Sequence, residues 1–464
     1  MNEEVNLAAN AAAAAFRQYA TSPGSKRAQF LREIADGIEQ LGDTLIECVN
    51  RETALPAVRV ANERARTCMQ LRLFAGIAEQ GAWTGERNDL ADAGRNPPKP
   101  NVRSCLRPLG PAVIFAASNF PLAFSVAGGD TAAALAVGCP VIVKAHPAHP
   151  ETSALIGKVI GEAAAKCGLP NGVFSLLTDG THETGLAIVQ HPLIKVGAFT
   201  GSQRGGLALW RAAQQRDEPI PFFAEMGSIN PLFIFPETLA RNAELIATGL
   251  HASMTLGVGQ FCTQPGVIFL VEDDASRALL DRLAALVSAT PAGDMLSASI
   301  CESYASAIEE RGKMQGVRIL ASGGSASHDS GNVGRRAGAV LFVTDASTFI
   351  SHSGLAQEVF GPSSLLVLCR STADYVRCAE SLQGQLTATI WAEDGMCDNS
   401  DLLWTLEQKA GRIVFNGFPT GVEVGSAMMH GGPFPATTDS RFTSVGTRSI
   451  YRFVRPVAWQ RPAA

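Results

Sequence analysis

Pro111-Ala112-Val113-Ile114-Phe115-Ala116-Ala117-Ser118-Asn119-Phe120-Pro121 is an apolar run that ends in a serine, an asparagine and a proline. Apolar residues rich in β-branched and aromatic side chains, stopped by turn formers, predict a buried strand. The unit recurs down the chain. Strands are predicted at 112–117, 141–145, 173–177, 196–200 and 221–224, with helices starting between them near Leu122, Glu151, His182 and Ser202. Strands that alternate with helices form a parallel, doubly wound sheet, whose ligands sit at the carboxyl ends of the strands. A second series, at 231–235, 267–271, 339–343, 364–368, 386–391 and 412–415, predicts a second α/β unit, with the division near Gly227.

Ahead of the first series, Phe30, Ile34, Ile38 and Leu41 recur at helical spacing within residues 6–83, which predicts a helical lead-in. Residues 94–111 are rich in Pro, Arg and Asn, and 102–106 suit an exposed hairpin. Residues 322–334 form a Gly/Ser-rich loop, and 443–460 are β-rich with aromatic residues.

A hydrophobic content of 46% against 17% charged residues suits a globular protein with an extensive interior. The net charge of −5, with Lys and Arg scattered, leaves no basic face for nucleic acid or an anionic membrane, so small molecules are the expected partners. The chain starts without a secretory pattern and holds no apolar run long enough to cross a bilayer, which predicts a cytoplasmic location. Its ten cysteines include no CxxC pair and no Cys/His metal spacing, so reduced thiols and no metal are expected.

The dinucleotide pattern GxGxxG is absent: Gly257 and Gly259 begin one, but Cys262 takes the place of the third glycine. Phe199-Thr200-Gly201-Ser202 instead follows a predicted strand and leads through Gly205 and Gly206 into a helix, where backbone N–H groups could meet a diphosphate. A free cysteine is ordinarily a small buried hydrophobe. Cys262 stands apart because it lies in a loop, Gly257-Val258-Gly259-Gln260-Phe261-Cys262-Thr263, while Glu225 and Asn119 lie in loops after other predicted strands. A thiolate nucleophile needs a base and oxyanion donors, and strand ends can bring these together. Burial at the end of an apolar run is expected to raise the pKa of Glu225 and suit it to general-base work. A capping or surface glutamate is the plainer alternative, as an N-cap is for Asn119.

Ser118-Asn119-Phe120-Pro121, Val143-Lys144, Phe199-Thr200-Gly201-Ser202, Ala224-Glu225-Met226-Gly227, Gln260-Phe261-Cys262 and Glu358-Val359-Phe360-Gly361-Pro362 together resemble the aldehyde dehydrogenase superfamily in order and spacing. The resemblance covers nearly the whole chain. Within it, Gly128-Gly129-Asp130-Thr131, Lys144-Ala145-His146-Pro147-Ala148-His149-Pro150 and Met429-His430-Gly431-Gly432-Pro433-Phe434-Pro435 look like the α-ketoglutarate semialdehyde (2,5-dioxovalerate) dehydrogenase branch, which is also similar to a bacterial fatty-aldehyde dehydrogenase.

The resemblance implies an aldehyde dehydrogenase-like α/β fold: a dinucleotide-binding domain (1–92 and 109–227), a catalytic domain (228–440) and a small β oligomerisation element (93–108 and 441–464) serving a homodimer or homotetramer. It implies Cys262 as nucleophile, Glu225 as base for thioester hydrolysis and Asn119 as oxyanion donor. Lys144, Ser118, Phe120, Gly201, Ser202, Glu358 and Phe360 would hold the cofactor, NADP or NAD. Pro147 stands where NAD-preferring relatives commonly carry an acid, so the balance leans towards NADP, although residues 178–184 offer no second basic ligand for a 2′-phosphate. The implied reaction is oxidation of α-ketoglutarate semialdehyde to α-ketoglutarate, with fatty or general aliphatic aldehydes as the alternative substrates. Acyl transfer to phosphate or coenzyme A, and a non-enzymatic role on the same fold, are rivals that the retained Glu225 and Cys262 disfavour. Arg66, Gln70 and Arg72 recur on one early helical stretch and are candidates for the substrate carboxylate, against the plainer reading of solvated charges.

Overall fold

The computed structural model describes residues 2–324, 335–393, 395 and 400–462. The Gly/Ser-rich loop expected at 322–334 therefore lies, from residue 325 on, outside the described residues.

The lead-in is four helices, Glu3–Ala20, Gly24–Gln40, Gly42–Thr53 and Ala57–Gln80. Asn2 caps the first by accepting the Glu4 N–H, and its alanine stripe (Ala8, Ala9, Ala12) packs with Val113 and Ile142 of the first sheet. The expected arm is an antiparallel pair, β1 (Arg87–Asp89) and β2 (Asn101–Pro108).

The first sheet contains β3 (Ala112–Phe115), β4 (Val141–Lys144), β5 (Phe174–Leu177), β6 (Val196–Thr200) and β7 (Phe222–Glu225), all parallel, in the order β5-β4-β3-β6-β7. The chain winds outward from β3 in one direction and then resumes on its other side, so a topological switch point falls between β3 and β6. All five strands match their sequence-predicted counterparts to within two residues at each end. The helix after β3 does not. It runs Gly129–Val137 instead of starting near Leu122. The Glu63 carboxylate accepts the N–H groups of Leu122 and Ala123, both at 2.9 Å, and Ala117 N–H bonds Phe124 O, so residues 120–128 fold as turns. Gly128 then starts the helix at a place where a Cβ would meet Ala123 O at 2.6 Å.

The second unit contains β8 (Leu232–Ile234), β9 (Val267–Val271), a short β10 (Gly293–Asp294), β11 (Arg318–Ser322), β12 (Arg336–Ala337), β13 (Val340–Asp345), β14 (Ser363–Cys369), β15 (Gln385–Trp391) and β16 (Ala410–Phe415). β10 and β12 pair with each other, and the rest form a seven-stranded sheet ordered β11-β13-β14-β9-β8-β15-β16. Only β11 is antiparallel, an edge strand absent from the sequence prediction because Arg318-Ile319-Leu320 is exposed and carries no buried apolar run. The last strand, β17 (Val454–Arg461), returns to pair with β2, giving the three-stranded sheet β1-β2-β17. Arg452, just before it, forms a buried ion pair with Asp130, which ties the carboxyl-terminal segment to the helix behind β3. No helix among the described residues is long and apolar enough to cross a membrane.

Candidate active site

Cys262 sits on a loop whose shape its own sequence enforces. Gly257, Val258 and Gly259 have φ of 56°, 58° and 66°, three successive left-handed residues. Valine is β-branched and pays on the order of 1–3 kcal/mol for this conformation, so the surrounding contacts must hold it there. A Cβ on Gly259 would lie 2.3 Å from the Gly361 carbonyl group. Gly259, the second glycine of the incomplete phosphate-binding pattern, thus lets this loop press against the Glu358–Pro362 turn. Asn230, itself left-handed at φ 48°, donates from its amide to Cys262 O at 2.9 Å and Gln264 O at 2.8 Å. Thr387 fixes Asn230 in turn through its Oδ1.

Glu225 ends β7 and is 3% exposed. Its Oε1 is 2.9 Å from Nε2 of His430, and Ser444 Oγ donates to Oε2. Nε2 of His430 is also 3.5 Å from Cys262 Sγ. Cys262, His430 and Glu225 therefore form one connected cluster of acid, imidazole and thiol. The expected rise in the Glu225 pKa is not found. Burial acts to raise it, but the contacts from His430, Ser444 and Arg452 outweigh burial and hold the carboxyl below its usual range. The thiol goes the other way: burial, and then the charges of Glu225 and Glu358, push the Cys262 pKa well above its ordinary value. At rest the pair is thus a carboxylate and a neutral thiol.

The His430 segment is stitched to β7. Met226 N–H bonds Ala436 O, Thr438 N–H bonds Ala224 O, and Ala224 N–H bonds the Thr438 hydroxyl. Asn119 reaches the same place from the end of β3, donating its side-chain amide to Gln260 O at 3.0 Å, two residues before Cys262. His149 donates from Nε2 to Ala117 O at 2.8 Å, which anchors the loop that carries Ser118 and Asn119.

Of the residues expected to hold the cofactor, Lys144 lies at the carboxyl end of β4, and Ser118, Gly201 and Ser202 follow the carboxyl ends of β3 and β6. Ser202 caps the Gln203–Gln214 helix by accepting Gly205 N–H at 3.2 Å, leaving its hydroxyl proton free, and it is exposed at the end of β6. No acid lies in the first turn of that helix, and a Cβ on Gly206 would meet Met226 at 2.7 Å. An open helix N-terminus of this kind fits a dinucleotide diphosphate. Lys144 ends β4, half-buried, with its pKa lowered by burial and partly restored by Asp179. Glu358 lies against Gly227, where a Cβ would come within 2.4 Å of its Oε2, and burial raises its carboxyl to about 7. Phe360 is half-buried beside it in sequence. Phe120 differs from the others: its ring packs edge-on to Phe261 (5.4 Å) and Phe124 (5.2 Å) under the Arg59 guanidinium (4.5 Å).

Of the substrate candidates, Arg66 is half-buried, donates to Val422 O at 2.6 Å, lies 5.9 Å from the Phe124 ring and feels the charge of Cys262. Gln70 is 2% exposed beside Gly129. Arg72 is excluded from the site, because it pairs on the outer surface with Asp36 and Glu39. His430, Asn230, Asp179, Arg59 and Arg412, another cation whose field reaches Cys262, were not assigned from sequence. His430 had a signal, the His-Gly-Gly-Pro run, but its partners lie 168 and 205 residues away.

Residues 1–433 match the aldehyde dehydrogenase family. The chain is 47% identical over 459 residues to α-ketoglutaric semialdehyde dehydrogenase 2 of Azospirillum brasilense, covering 98% of this chain and 86% of that one. It is 44% identical over 461 residues to the α-ketoglutaric semialdehyde dehydrogenase of Acinetobacter baylyi, covering 99% and 86%. In fold it resembles the crystal structure of γ-glutamyl-γ-aminobutyraldehyde dehydrogenase from Burkholderia cenocepacia, with a TM-score of 0.84 at 19% identity over 100% of this chain and 90% of that one. The match extends from the amino-terminal helices through the Cys262 loop to the His430 segment, and the chain belongs to the aldehyde dehydrogenase family, the NAD(P)-dependent oxidoreductases of aldehydes.

Proposed function

We propose that this enzyme oxidises the semialdehyde of α-ketoglutarate to α-ketoglutarate through a thiohemiacetal and then a thioester on Cys262. The observation that carries the reading is the contact chain Cys262–His430–Glu225. The names of the Azospirillum brasilense and Acinetobacter baylyi relatives support the substrate.

The neutral thiol gives up its proton to solvent as Sγ attacks the aldehyde carbon, and the Nε2–H of His430, which lies beside both Sγ and the ionised Glu225, stabilises the developing thiolate. The oxyanion is stabilised by the Cys262 N–H and the Asn119 amide, which turns from Gln260 O. The dinucleotide, when bound, supplies the hydride acceptor. Ionised Glu225 then deprotonates the water that attacks the thioester, the acid leaves, and the thiol regains a proton. Because Glu225 is ionised and adjacent, hydrolysis is favoured over transfer to coenzyme A. An assay for acyl-coenzyme A formation separates the two.

In this reading the first sheet carries the cofactor, with Ser118, Gly201 and Ser202 at the diphosphate, Glu358 on the nicotinamide ribose, Phe360 beside the ring and Lys144 at the adenosine ribose. The second unit carries the thiol. Phe120, with Phe124 and Phe261, is assigned to the aldehyde channel rather than to the cofactor. Lys144 and Pro147 favour NADP, but Asp179 beside Lys144 opposes a 2′-phosphate. Either dinucleotide is accepted, and Asp179 sets the balance. The β1-β2-β17 sheet, with β17 largely exposed, serves self-association.

Arg66 binds the substrate carboxylate, with Gln70 behind it. A steady-state panel run with both cofactors tests this. Arg66→Ala raises KM for α-ketoglutarate semialdehyde by about 10- to 100-fold, the worth of one charged hydrogen bond, and leaves an uncharged short aldehyde within about twofold. A preference of the wild type for long-chain aldehydes would overturn the assignment.

A further inference from the structure

We propose that Cys262, His430 and Glu225 form a binding site for a thiophilic divalent cation, zinc above all, and that its occupancy reversibly shuts the enzyme down. The site requires only the cluster. The inhibitory consequence also rests on Cys262 being the nucleophile.

The three ligand atoms, Sγ of Cys262, Nε2 of His430 and a Glu225 carboxylate oxygen, all lie within 4.8 Å of one another. Zinc takes thiolate at about 2.3 Å, imidazole at about 2.0–2.1 Å and carboxylate at about 2.0–2.2 Å, in a tetrahedron. Those bond lengths place sulfur about 3.6 Å from nitrogen, and nitrogen about 3.3 Å from oxygen, across the metal. The observed separations are 3.5 Å and 2.9 Å. The first already fits, and the second needs only a few tenths of an ångström.

Charge and protonation agree with the distances. A thiolate and a carboxylate balance a dication, where without it the two anions oppose each other across the imidazole. Nδ1 of His430 is buried and has no hydrogen-bond partner among the described residues. Without metal the ionised Glu225 favours a proton on Nε2; when the metal takes that lone pair, Nδ1 is free to receive the proton. Glu225 and His430 are buried, but Cys262 is only partly so, which leaves a fourth position on the cysteine side for solvent. Three protein ligands with one open position is the pattern of an accessible zinc site rather than a closed structural one. On binding, the S–H bond breaks, a Zn–S bond forms, one proton passes to solvent, and no electrons are transferred.

Cobalt(II), which reports thiolate ligation by a near-ultraviolet charge-transfer band, is titrated into the full-length protein without cofactor, and zinc is competed against it. The expected result is one equivalent per chain with that band, displaced by zinc. The band is lost in Cys262→Ala, and affinity falls at least about tenfold in His430→Ala and in Glu225→Gln. Circular dichroism establishes that each variant is folded. Cys301→Ala, a half-exposed thiol elsewhere, leaves the band unchanged. Equimolar zinc also protects Cys262 from alkylation and abolishes aldehyde oxidation until a chelator is added. The same band and affinity in folded Cys262→Ala, or undiminished alkylation under zinc, overturns the proposal. Zinc bound at Cys262 with aldehyde oxidation intact would leave the metal site standing, overturn its inhibitory role and refute the nucleophile assignment. Activity lost in Cys262→Ala with no band in the wild type would do the reverse.

Discussion

Gly227→Ala isolates the contact that holds Glu358, the residue proposed for the nicotinamide ribose. Gly227 does not have a positive φ, so alanine is compatible with the backbone and the whole effect comes from its Cβ. That Cβ would stand 2.4 Å from Glu358 Oε2 and 3.1 Å from its Cδ. Non-bonded contacts to carbon settle near about 3.5 Å, so the carboxylate must retreat by roughly 1 Å. A carboxylate holding a ribose loses about 1.5–3 kcal/mol for each charged hydrogen bond broken, and loss of one corresponds to a 10- to 100-fold weaker cofactor complex. Titration of NADH and NADPH fluorescence measures it directly. The decisive control is the same substitution in a Glu358→Ala background, where there is no carboxylate to displace and Gly227→Ala costs less than about twofold. An equal loss in both backgrounds, or affinity unchanged in the single variant, refutes the reasoning.

The raised Glu358 pKa, about 7, gives a signed pH dependence. Ribose hydroxyls favour the ionised carboxylate, so cofactor affinity rises by roughly tenfold between pH 6 and pH 8, and the dependence vanishes in Glu358→Gln. For the fold the sign is opposite: the folded state holds this proton more tightly than the unfolded chain, so Glu358 makes the protein less stable as pH rises from the usual carboxylate range towards 7. Glu225→Gln retains a stoichiometric burst of NAD(P)H while steady-state turnover falls by about 10²- to 10⁴-fold; a lost burst would assign Glu225 to the first step. Asp179→Asn raises the ratio of NADP to NAD specificity constants by about tenfold, as expected for removing one anion near a 2′-phosphate. An unmoved ratio would take Asp179 out of the adenosine site.

What the sequence disclosed and what it withheld follow from the range of the interactions. The strands of both parallel sheets were legible because buried parallel strands are continuous apolar runs bounded by turn residues, as at Val141–Lys144 and Val267–Val271. β11 was not, because an exposed edge strand carries no such run. The helix start at Gly129 was hidden because Glu63, 59 residues before Leu122, takes the N–H groups that a helix would have used. Cys262, Glu225 and Asn119 could be named because each sits at a strand end or in a glycine-bounded loop. Their chemistry could not be read the same way.

Glu225 shows why. An apolar run before a glutamate announces burial, and burial alone raises a carboxyl pKa; the inference was sound as far as local sequence allowed. The opposing contributions come from His430, Ser444 and Arg452, which enter from a segment more than 200 residues on and reverse the sign. Reversing that sign changes the catalytic argument. A carboxyl raised towards neutrality could take the thiol proton and serve both steps. A carboxylate held ionised by the imidazole Nε2–H is kept as the base for water, and the same Nε2–H faces the sulfur and stabilises its thiolate. The division of labour between His430 and Glu225 is therefore set by tertiary contact, and it is the same contact that brings three metal-ligating atoms within 4.8 Å of one another.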